Sequence, residues 1–257
     1  MSDTTAVNQA YFNNLASEYD TRFQNTIERL EEEVRARADL LGARPGGRLL
    51  DYACGTGLLS RVRIPSNGPQ KGIRLQRRKG RKLTCNQALG PQLSRCVGID
   101  ISESMVEQYN ARSNRDGLAP EKCIACVGNL LSPDDPSPEK FSSPDFFDFD
   151  LAGVGLGFHH MDDCALAAKQ LAHRLRPGGV LFIVDFVTHA PPPSEQISSV
   201  RHNGFTEQQV RDMFEGAGAG GNFAFHALPE DITFENAHGK GKHMARRVFI
   251  ARGEKEQ

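Results

Sequence analysis

Residues 47–57 read Gly-Arg-Leu-Leu-Asp-Tyr-Ala-Cys-Gly-Thr-Gly, an apolar run that leads into an acid and a glycine-rich turn. The apolar run predicts a short buried strand, and Gly55 and Gly57 allow the backbone to turn sharply and to approach a ligand closely. Asp51 stands at the carboxyl end of that strand. A carboxylate there repels a pyrophosphate and attracts a positive group. The stretch therefore predicts a ligand with a cationic end, such as an amino-acid-like cofactor.

Strand-like and helix-like patterns alternate along the rest of the chain. The predicted strands are 48–52, 96–100, 123–127, 147–152, 180–186, 223–227 and 246–251. The predicted helices are 6–19, 23–41, 102–113, 162–175 and 206–216. This alternation predicts a doubly wound α/β fold with a mostly parallel sheet and helices on both faces. No convincing helix joins the last two strands, so we expect the final strand to be antiparallel at the end of the sheet.

The bulk composition is that of an ordinary globular chain. Its 257 residues are enough for one α/β domain with additions, and the net charge of −1 argues against a nucleic-acid partner. No apolar run approaches the roughly 18–20 residues that span a bilayer, and the N-terminus lacks secretory signal features. The six cysteines have no disulfide-scaffold spacing. We therefore expect a cytoplasmic protein with reduced thiols, no membrane partner and no metal.

Residues 62–87 differ from the rest of the chain because they hold eight Lys and Arg residues and no acid. Three interpretations stand side by side: an arm for an acidic partner, a solvated insertion, and a translated intron. We favour the intron because removing the segment joins its flanks into one amphipathic helix. The removal also brings Asp100 close to the roughly 20 positions expected between a glycine turn and a ribose-binding acid.

Polar residues follow the predicted strands at the edge where parallel sheets bind ligands. Asp100 ends one strand and is placed to accept both hydroxyls of a ribose, with capping of the next helix as the alternative. Ile101 would then lie against an adenine face, and Met105 would either support it or belong to the core. Asn129 either hydrogen-bonds the adenine amino group or forms a turn.

Three glycines and two histidines occupy residues 153–160. The glycines would let the backbone and a substrate come close together. His159 and His160 have a near-neutral pKa that suits removal of a substrate proton. The alternative is that one histidine caps the next helix and the other packs. Metal binding by these histidines with residues 162–164 is disfavoured, since Asp162 or Asp163 is typical of a helix start.

The N-terminal helices are candidates for a cover over the site. We assign residues 1–45 to a helical lid or cap, in which Tyr19 is placed to fold over the cofactor unless it simply packs in the core. The stretches 1–25, 154–160 and 187–203 would shape the approach of a small-molecule acceptor. They are rich in Pro, Ser or Gly and hold few aromatic residues, so they outline no particular acceptor.

Taken together, these motifs resemble the small-molecule branch of class I S-adenosylmethionine-dependent methyltransferases, the ubiquinone/menaquinone-biosynthesis-like and type 11/12 group. The resemblance covers about residues 10–252. It rests on an ordered set of motifs at residues 19–20, 50–57, 97–105, 149–151, 159–160 and 175–185, the last reading Leu-Arg-Pro-Gly-Gly-Val-Leu-Phe-Ile-Val-Asp. The glycine turn alone is a weak signal, whereas the ordered set is strong.

The resemblance implies a Rossmann-like, seven-stranded sheet that binds S-adenosylmethionine through Asp51, Ala53, Gly55, Gly57 and Asp100. It implies methyl transfer by in-line displacement, in which catalysis comes mainly from positioning and desolvation. It also places a methyltransferase domain at 46–252 and a solvated tail at 253–257.

Two features depart from the family pattern. Asn129 stands where an acid is more usual, and residues 62–87 interrupt the helix that would face the cofactor. Two other classes of protein therefore stay open. A degenerate methyltransferase-like protein would lack activity. An NAD(P)-dependent oxidoreductase would share the fold, although Ser60 stands where its third glycine belongs and no Tyr-x-x-x-Lys pair occurs in the later half.

Overall fold

The centre of the molecule is a seven-stranded sheet with helices on both faces. The computed structural model describes residues 3–60, 93–132, 135, 137–190, 199–235, 237 and 241–256. Within these residues, no helix combines the length and the apolar character needed to cross a membrane. The basic segment 62–87, with its three interpretations, lies outside the described residues.

The secondary structure follows the predicted pattern closely. The α-helices of the described residues are α1 (Asp3–Arg22), α2 (Gln24–Ala36), α3 (Glu103–Arg115), α4 (Cys164–Arg174) and α5 (Glu207–Gly216). Three short 3₁₀ helices lie at Glu139–Phe141, Pro144–Phe146 and Phe158–His160. The strands are β1 (Arg48–Tyr52), β2 (Arg95–Asp100), β3 (Cys123–Val127), β4 (Phe149–Gly155), β5 (Leu175–Phe186), β6 (Gly221–Ala227), β7 (Ile232–Phe234), β8 (Met244–Arg246) and β9 (Val248–Glu254). Each predicted helix and strand is confirmed, with boundaries shifted by a few residues.

Side-chain caps explain where three helices begin. The hydroxyl of Ser102 accepts the N–H of Met105 at the start of α3, and the carboxylate of Asp163 accepts the N–H of Leu166 at the start of α4. A reciprocal capping box, in which Thr206 is the N-cap, starts α5. Each cap satisfies a backbone donor that has no partner inside the helix, so the helix starts are encoded locally.

The strand order in the sheet is β3-β2-β1-β4-β5-β9-β6. The first five strands pair in parallel, and β9 runs antiparallel to both of its neighbours. The predicted direction of the last strand is confirmed, but its predicted place at the end of the sheet is wrong. Burial gives the reason: residues 248–251 are completely buried, as a central strand requires, whereas β6 is only partly buried and forms the edge.

The predicted solvated tail at 253–257 needs a correction, because β9 continues to Glu254. Gly253 is buried, and a Cβ atom added there would lie 2.1 Å from the carbonyl oxygen of Ala219. The N–H of Lys255 then donates to the carbonyl of Gly179 at 2.8 Å. The charged composition of these residues conceals a backbone that is still part of the sheet.

Two apolar layers hold the helices against the sheet. Ala168 and Leu171 of α4 and Phe214 of α5 belong to one buried cluster. Val34 of α2 and Val106 of α3 belong to the other. Because both faces of the sheet are covered, the central strands are mostly apolar, and polar groups such as those of Asp100 collect at their carboxyl ends.

A two-stranded ribbon of β7 and β8 is the element that the sequence did not predict. Its strands have three residues each, which is too short for a period-two pattern to stand out. The ribbon is attached to α2, where the hydroxyl of Thr26 donates to the carbonyl of Thr233 at 2.8 Å. Phe234 and Met244 form one of its cross-strand pairs.

The packing around Gly253 predicts a strong effect of one methyl group. We expect Gly253→Ala to lower the free energy of unfolding by about 1–3 kcal/mol, the usual cost of overpacking a core, because the backbone of Ala219 leaves no room for a Cβ atom. The matched control is Gly216→Ala at the end of α5, where an added Cβ meets nothing within 4 Å. Urea unfolding measures the stability of both variants. Equal unfolding midpoints for Gly253→Ala and the parent protein would instead support the prediction that residues 253–257 are a solvated tail.

Candidate functional site

A cavity of about 430 Å³ lies at the carboxyl ends of β1, β2 and β4 and is lined by residues of α1. This is the edge of the sheet at which α/β proteins bind ligands, and the volume is in the range of small-molecule sites. We call it the donor-side cavity, because the predicted cofactor that donates the methyl group would lie here. It is lined by three acids, Asp100, Asp162 and Asp163, and by no Lys or Arg among the described residues. The cavity therefore presents negative charge to a ligand.

The carboxylate of Asp100 joins two segments at the floor of the donor-side cavity. Its Oδ2 accepts the N–H of Gly55 at 2.8 Å, and its Oδ1 accepts the N–H of Ser102 at 2.9 Å. Burial raises the pKa of Asp100, although these N–H groups offset part of the rise. A carboxylate offers about four acceptor positions, so acceptor capacity remains for a ligand. The helix-cap alternative is not realised by Asp100, because the N-cap of α3 is Ser102.

Ile101, Met105 and Asn129 also line the donor-side cavity. The side-chain oxygen of Asn129 accepts the hydroxyl of Tyr52 at 3.1 Å and the N–H of Leu131 at 2.8 Å. This oxygen is the atom that an adenine amino group would need as its acceptor. The structure thus corrects the predicted contact and agrees with the turn-forming alternative, and only the NH₂ group of Asn129 remains for a ligand.

Asp51 and Gly57 lie behind the wall of the cavity rather than in it. Asp51 is 1% exposed and accepts the hydroxyl of Ser60 at 3.1 Å. Burial raises the pKa of Asp51 well above its usual range. Gly57 has a φ of +96°, and a Cβ there would lie 3.0 Å from the ring of Tyr109. The expectation that both residues touch the cofactor is therefore not matched, because the strand directs Asp51 into the protein interior.

The glycines of residues 153–157 make room for the protein itself. A Cβ on Gly153 would lie 2.4 Å from the ring of Phe182, and one on Gly157 would lie 2.8 Å from the Cβ of Ala53. A Cβ on Gly155 would crowd Leu59 at 3.1 Å. The prediction that these glycines open space for substrate needs this correction, although Gly155 and Gly157 still line the cavity.

Polar contacts attach α1 across the donor-side cavity at three places. Near its start, Asn8 donates to the carbonyl of His160 at 2.9 Å. In its middle, the side-chain oxygen of Asn13 accepts the hydroxyl of Ser102 at 2.6 Å. Near its end, Asp20 accepts the hydroxyl of Thr56 at 2.6 Å and forms an ion pair with Arg112. The helix therefore covers the cavity, and Tyr19 is among its lining residues.

A second cavity of about 160 Å³ adjoins the first and shares Phe12, Tyr19, Phe23, Leu156, His160 and Phe234 with it. His159 lines only this acceptor-side cavity. Its Nδ1 lies 2.8 Å from Oδ1 of Asp185, a completely buried carboxylate. Burial alone would raise the pKa of Asp185, but the facing His159 and the N–H groups of Phe186 and His159 hold it below its usual range.

This bond pattern sets the tautomers of both histidines. Nδ1 of His159 carries the proton that is donated to Asp185, which leaves Nε2 as an acceptor. Nδ1 of His160 lies 2.6 Å from the carbonyl of Ser199 and therefore donates as well. Burial and the neighbouring His159 lower the pKa of His160 to about 3. His160 is thus a neutral ring at physiological pH.

Residues 162–164 show no arrangement for a metal. Asp163 caps α4, and the thiol of Cys164 donates to the carbonyl of Phe158 at 3.4 Å. Asp162 is bound by Arg201 at 2.9 Å. No group of three or more metal-ligating side chains occurs among the residues that the structure describes.

The structure brings most of the predicted site residues together. Those that line the donor-side cavity are Tyr19, Ala53, Gly55, Asp100, Ile101, Met105, Asn129 and His160. Asp51, Gly57 and His159 lie outside that lining. Sequence reasoning missed the ribbon and two polar residues of the cover, Asn8 and Asn13, because the polar positions of their helix look solvated in the sequence. It also gave no role to Asp185, which closes the motif at 175–185. Asp20, by contrast, belongs to the predicted motif at residues 19–20.

One known protein family matches most of the chain. A family model described as a methyltransferase domain matches residues 23–219, which is more than half of the chain. The chain therefore belongs to the methyltransferase domain family. The resemblance inferred from the ordered motifs is confirmed at this level.

Individual relatives agree with the family assignment. The chain is 28% identical over 182 residues to the uncharacterized methyltransferase C1347.09 of Schizosaccharomyces pombe, covering 68% of this chain and 54% of that protein. It is 29% identical over 152 residues to the ubiquinone/menaquinone biosynthesis C-methyltransferase UbiE of Hydrogenovibrio crunogenus, covering 59% of this chain and 47% of the relative. The chain thus spans about half the length of these curated relatives.

A solved structure agrees with the fold. Magnesium protoporphyrin IX methyltransferase (ChlM) from Synechocystis PCC 6803, with bound SAM, superposes with a TM-score of 0.58. The match covers 100% of this chain and 99% of that chain at 15% sequence identity. At this identity the likeness concerns the fold, and it confirms the predicted Rossmann-like sheet.

The attachment of α1 predicts how the cover responds to one substitution. We expect Asp20→Ala to speed hydrogen exchange of the amides at 11–22 by at least about tenfold, because the helix loses hydrogen bonds of a charged group to Thr56 and Arg112. Glu18→Ala, an exposed position on the same helix, is the control. Mass-detected exchange measures both variants, and identical protection in the two would show that Asp20 does not hold the helix in place.

Proposed function

We propose that this protein transfers a methyl group from S-adenosylmethionine to a small-molecule acceptor. The observation that carries the proposal is Asp100, whose carboxylate holds the glycine turn and the start of α3 while keeping acceptor capacity toward the cavity. Such a carboxylate suits the two hydroxyls of a ribose. Membership of the methyltransferase domain family supports the reaction class.

The residues of the donor-side cavity fit S-adenosylmethionine. Ile101 and Met105 provide an apolar wall for a purine, and Gly55 lets the backbone come close to the ligand. The acids of the lining, with no Lys or Arg beside them among the described residues, suit a donor that carries a sulfonium and an ammonium group. When bound, that donor supplies an electrophilic methyl group. We assign residues 1–45 to the cover and 46–254 to the transferring domain, which extends the predicted 46–252 to the end of β9.

The chain's own part in catalysis is to position the acceptor, exclude water and hold a proton. The contacts of α1 cover the cavity, which keeps water from the reacting atoms. His159 lines the acceptor-side cavity, and Asp185 accepts its Nδ1–H and so orients the ring, which leaves Nε2 to take a proton from the acceptor. His160 keeps a proton poorly because its pKa is low, so we assign the base role to His159 alone and treat His160 as a neutral wall.

The charge of the cavity distinguishes the proposed methyltransferase from an NAD(P)-dependent oxidoreductase, and donor binding distinguishes it from a degenerate protein. An NAD(P) site needs backbone N–H groups or cations for its pyrophosphate, and the described lining presents acids instead. A degenerate protein would keep the fold without binding the donor. The proposal therefore depends on donor binding before it depends on turnover.

Calorimetry tests the donor site. We expect saturable binding of S-adenosylmethionine and none of NADH. Asp100→Asn should weaken donor binding by at least about tenfold, because hydrogen bonds to a charged group are worth about 1.5–3 kcal/mol and an NH₂ group would face a backbone donor.

The control for the donor site is Asp145→Asn, an exposed acid outside the cavity lining. Binding of NADH alone would overturn the proposal in favour of an oxidoreductase. Binding of neither ligand by the folded parent would favour the degenerate protein.

Labelled methyl transfer to fractionated metabolite extracts tests the proton-holding residue. Asp185→Asn should lower the turnover rate about a hundredfold, within the range of general-base contributions, and should leave donor affinity unchanged. Asp212→Asn, exposed on α5, is the matched control. An unchanged rate in a folded Asp185→Asn variant would contradict the role of the His159–Asp185 pair.

A further inference from the structure

The acceptor-side cavity differs in charge from the donor-side cavity beside it. Its described lining holds two arginines, Arg201 and Arg246, and no Asp or Glu. Asp185 approaches it only from behind the ring of His159. Two adjoining cavities at one sheet edge thus carry opposite charge preferences, which implies different charges on the two molecules that meet there.

The two arginines are not equivalent. Arg201 pairs with Asp162 at 2.9 Å and donates to the hydroxyl of Thr4. Among the described residues, Arg246 donates to the carbonyl of Ala245 at 3.0 Å, and its Nε is buried without an acceptor. No carboxylate of the described residues lies within ion-pair distance of Arg246. Asp231, which acts on it through space, pairs with Arg247 at 2.6 Å.

The ribbon of β7 and β8 aims Arg246 at the cavity. Side chains alternate along a strand, so Met244 and Arg246 share one face of β8 while Ala245 is exposed on the other. Both residues line the acceptor-side cavity together with Phe234 of β7. Burial lowers the pKa of Arg246, as expected for a guanidinium that is partly removed from water without a counter-charge.

Between the donor-side cavity and Arg246 the wall is made of rings. Their centroids are 5.1 Å apart for Phe12 and His160, 4.0 Å for His160 and His159, 4.8 Å for His159 and Phe186, and 5.2 Å for Phe186 and Phe234. These rings form a continuous aromatic row, against which another aromatic ring can pack edge-on or in an offset stack. This row also corrects the expectation of few aromatic residues around the acceptor, because Phe186 and Phe234 come from outside the stretches considered.

We propose that the methyl acceptor is a flat, ring-containing molecule with an anionic end, whose ring lies along the aromatic row and whose carboxylate is bound by Arg246. The inference rests on the proposed function, since it names the acceptor class of that same site. The end that receives the methyl group then lies toward His159 and the donor.

Matched pairs of probes separate the charge from the shape of the ligand. 2-Naphthoate and biphenyl-4-carboxylate are each compared with their uncharged carboxamides, by calorimetry on the full chain saturated with S-adenosylhomocysteine. We expect each acid to bind at least about tenfold more tightly than its amide, as a charge-assisted guanidinium contact in a partly buried site allows. In the Arg246→Met variant the acid and the amide should bind about equally. Met removes the positive charge but keeps an apolar side chain of similar length.

The control variant is Arg247→Met, the neighbouring arginine, which is exposed and paired with Asp231. It should keep the full preference for the acids. Equal binding of acids and amides, failure of either pair to bind the loaded parent protein, or an unchanged preference in Arg246→Met would each overturn this inference while donor binding stands. Absence of S-adenosylhomocysteine binding in the parent would instead overturn the proposed function.

Discussion

The site depends on one carboxylate that accepts hydrogen bonds from two backbone N–H groups. Asp100 ends β2 and fixes both the glycine turn after β1 and the entry into α3. Each of these donors would cost about 1–3 kcal/mol if it were left buried without a partner. That sum is a large part of the 5–15 kcal/mol by which a domain is usually stable. The group that shapes the floor of the cavity is therefore also the group that we propose to bind the ribose.

Much of this arrangement follows from the sequence, because local rules decide it. The alternation of strands and helices predicts the sheet. Because ligands of α/β sheets bind at the carboxyl ends of the strands, the sequence also predicts that Gly55, Asp100 and Asn129 lie together at that edge. The sequence does not, however, predict in which direction each side chain points at that edge. Asp51 stands one residue before the end of β1, and its side chain points into the interior and binds Ser60. Sequence position alone does not reveal which side of a twisted strand end meets the cavity.

The missed parts have a common physical cause, which is that they depend on long-range contacts. The ribbon is too short to show a pattern, and it is held by α2, some two hundred residues earlier in the chain. Arg246 and Arg247 are adjacent and look alike in the sequence, yet the ribbon turns one into the cavity and leaves the other exposed. Likewise, the polar residues of α1 become meaningful only when their partners at His160, on α3 with its N-cap and in the glycine turn are known.

The central position of β9 has a consequence for biosynthesis. Among the described strands, β6 pairs only with β9, and β5 has no other neighbour on that side. While the ribosome is still adding residues 248–254, the edge of β5 is open and β6 has nothing to join. Half-made chains of this protein thus expose an unpaired strand edge, which favours chaperone capture or aggregation of nascent chains until translation has passed this point.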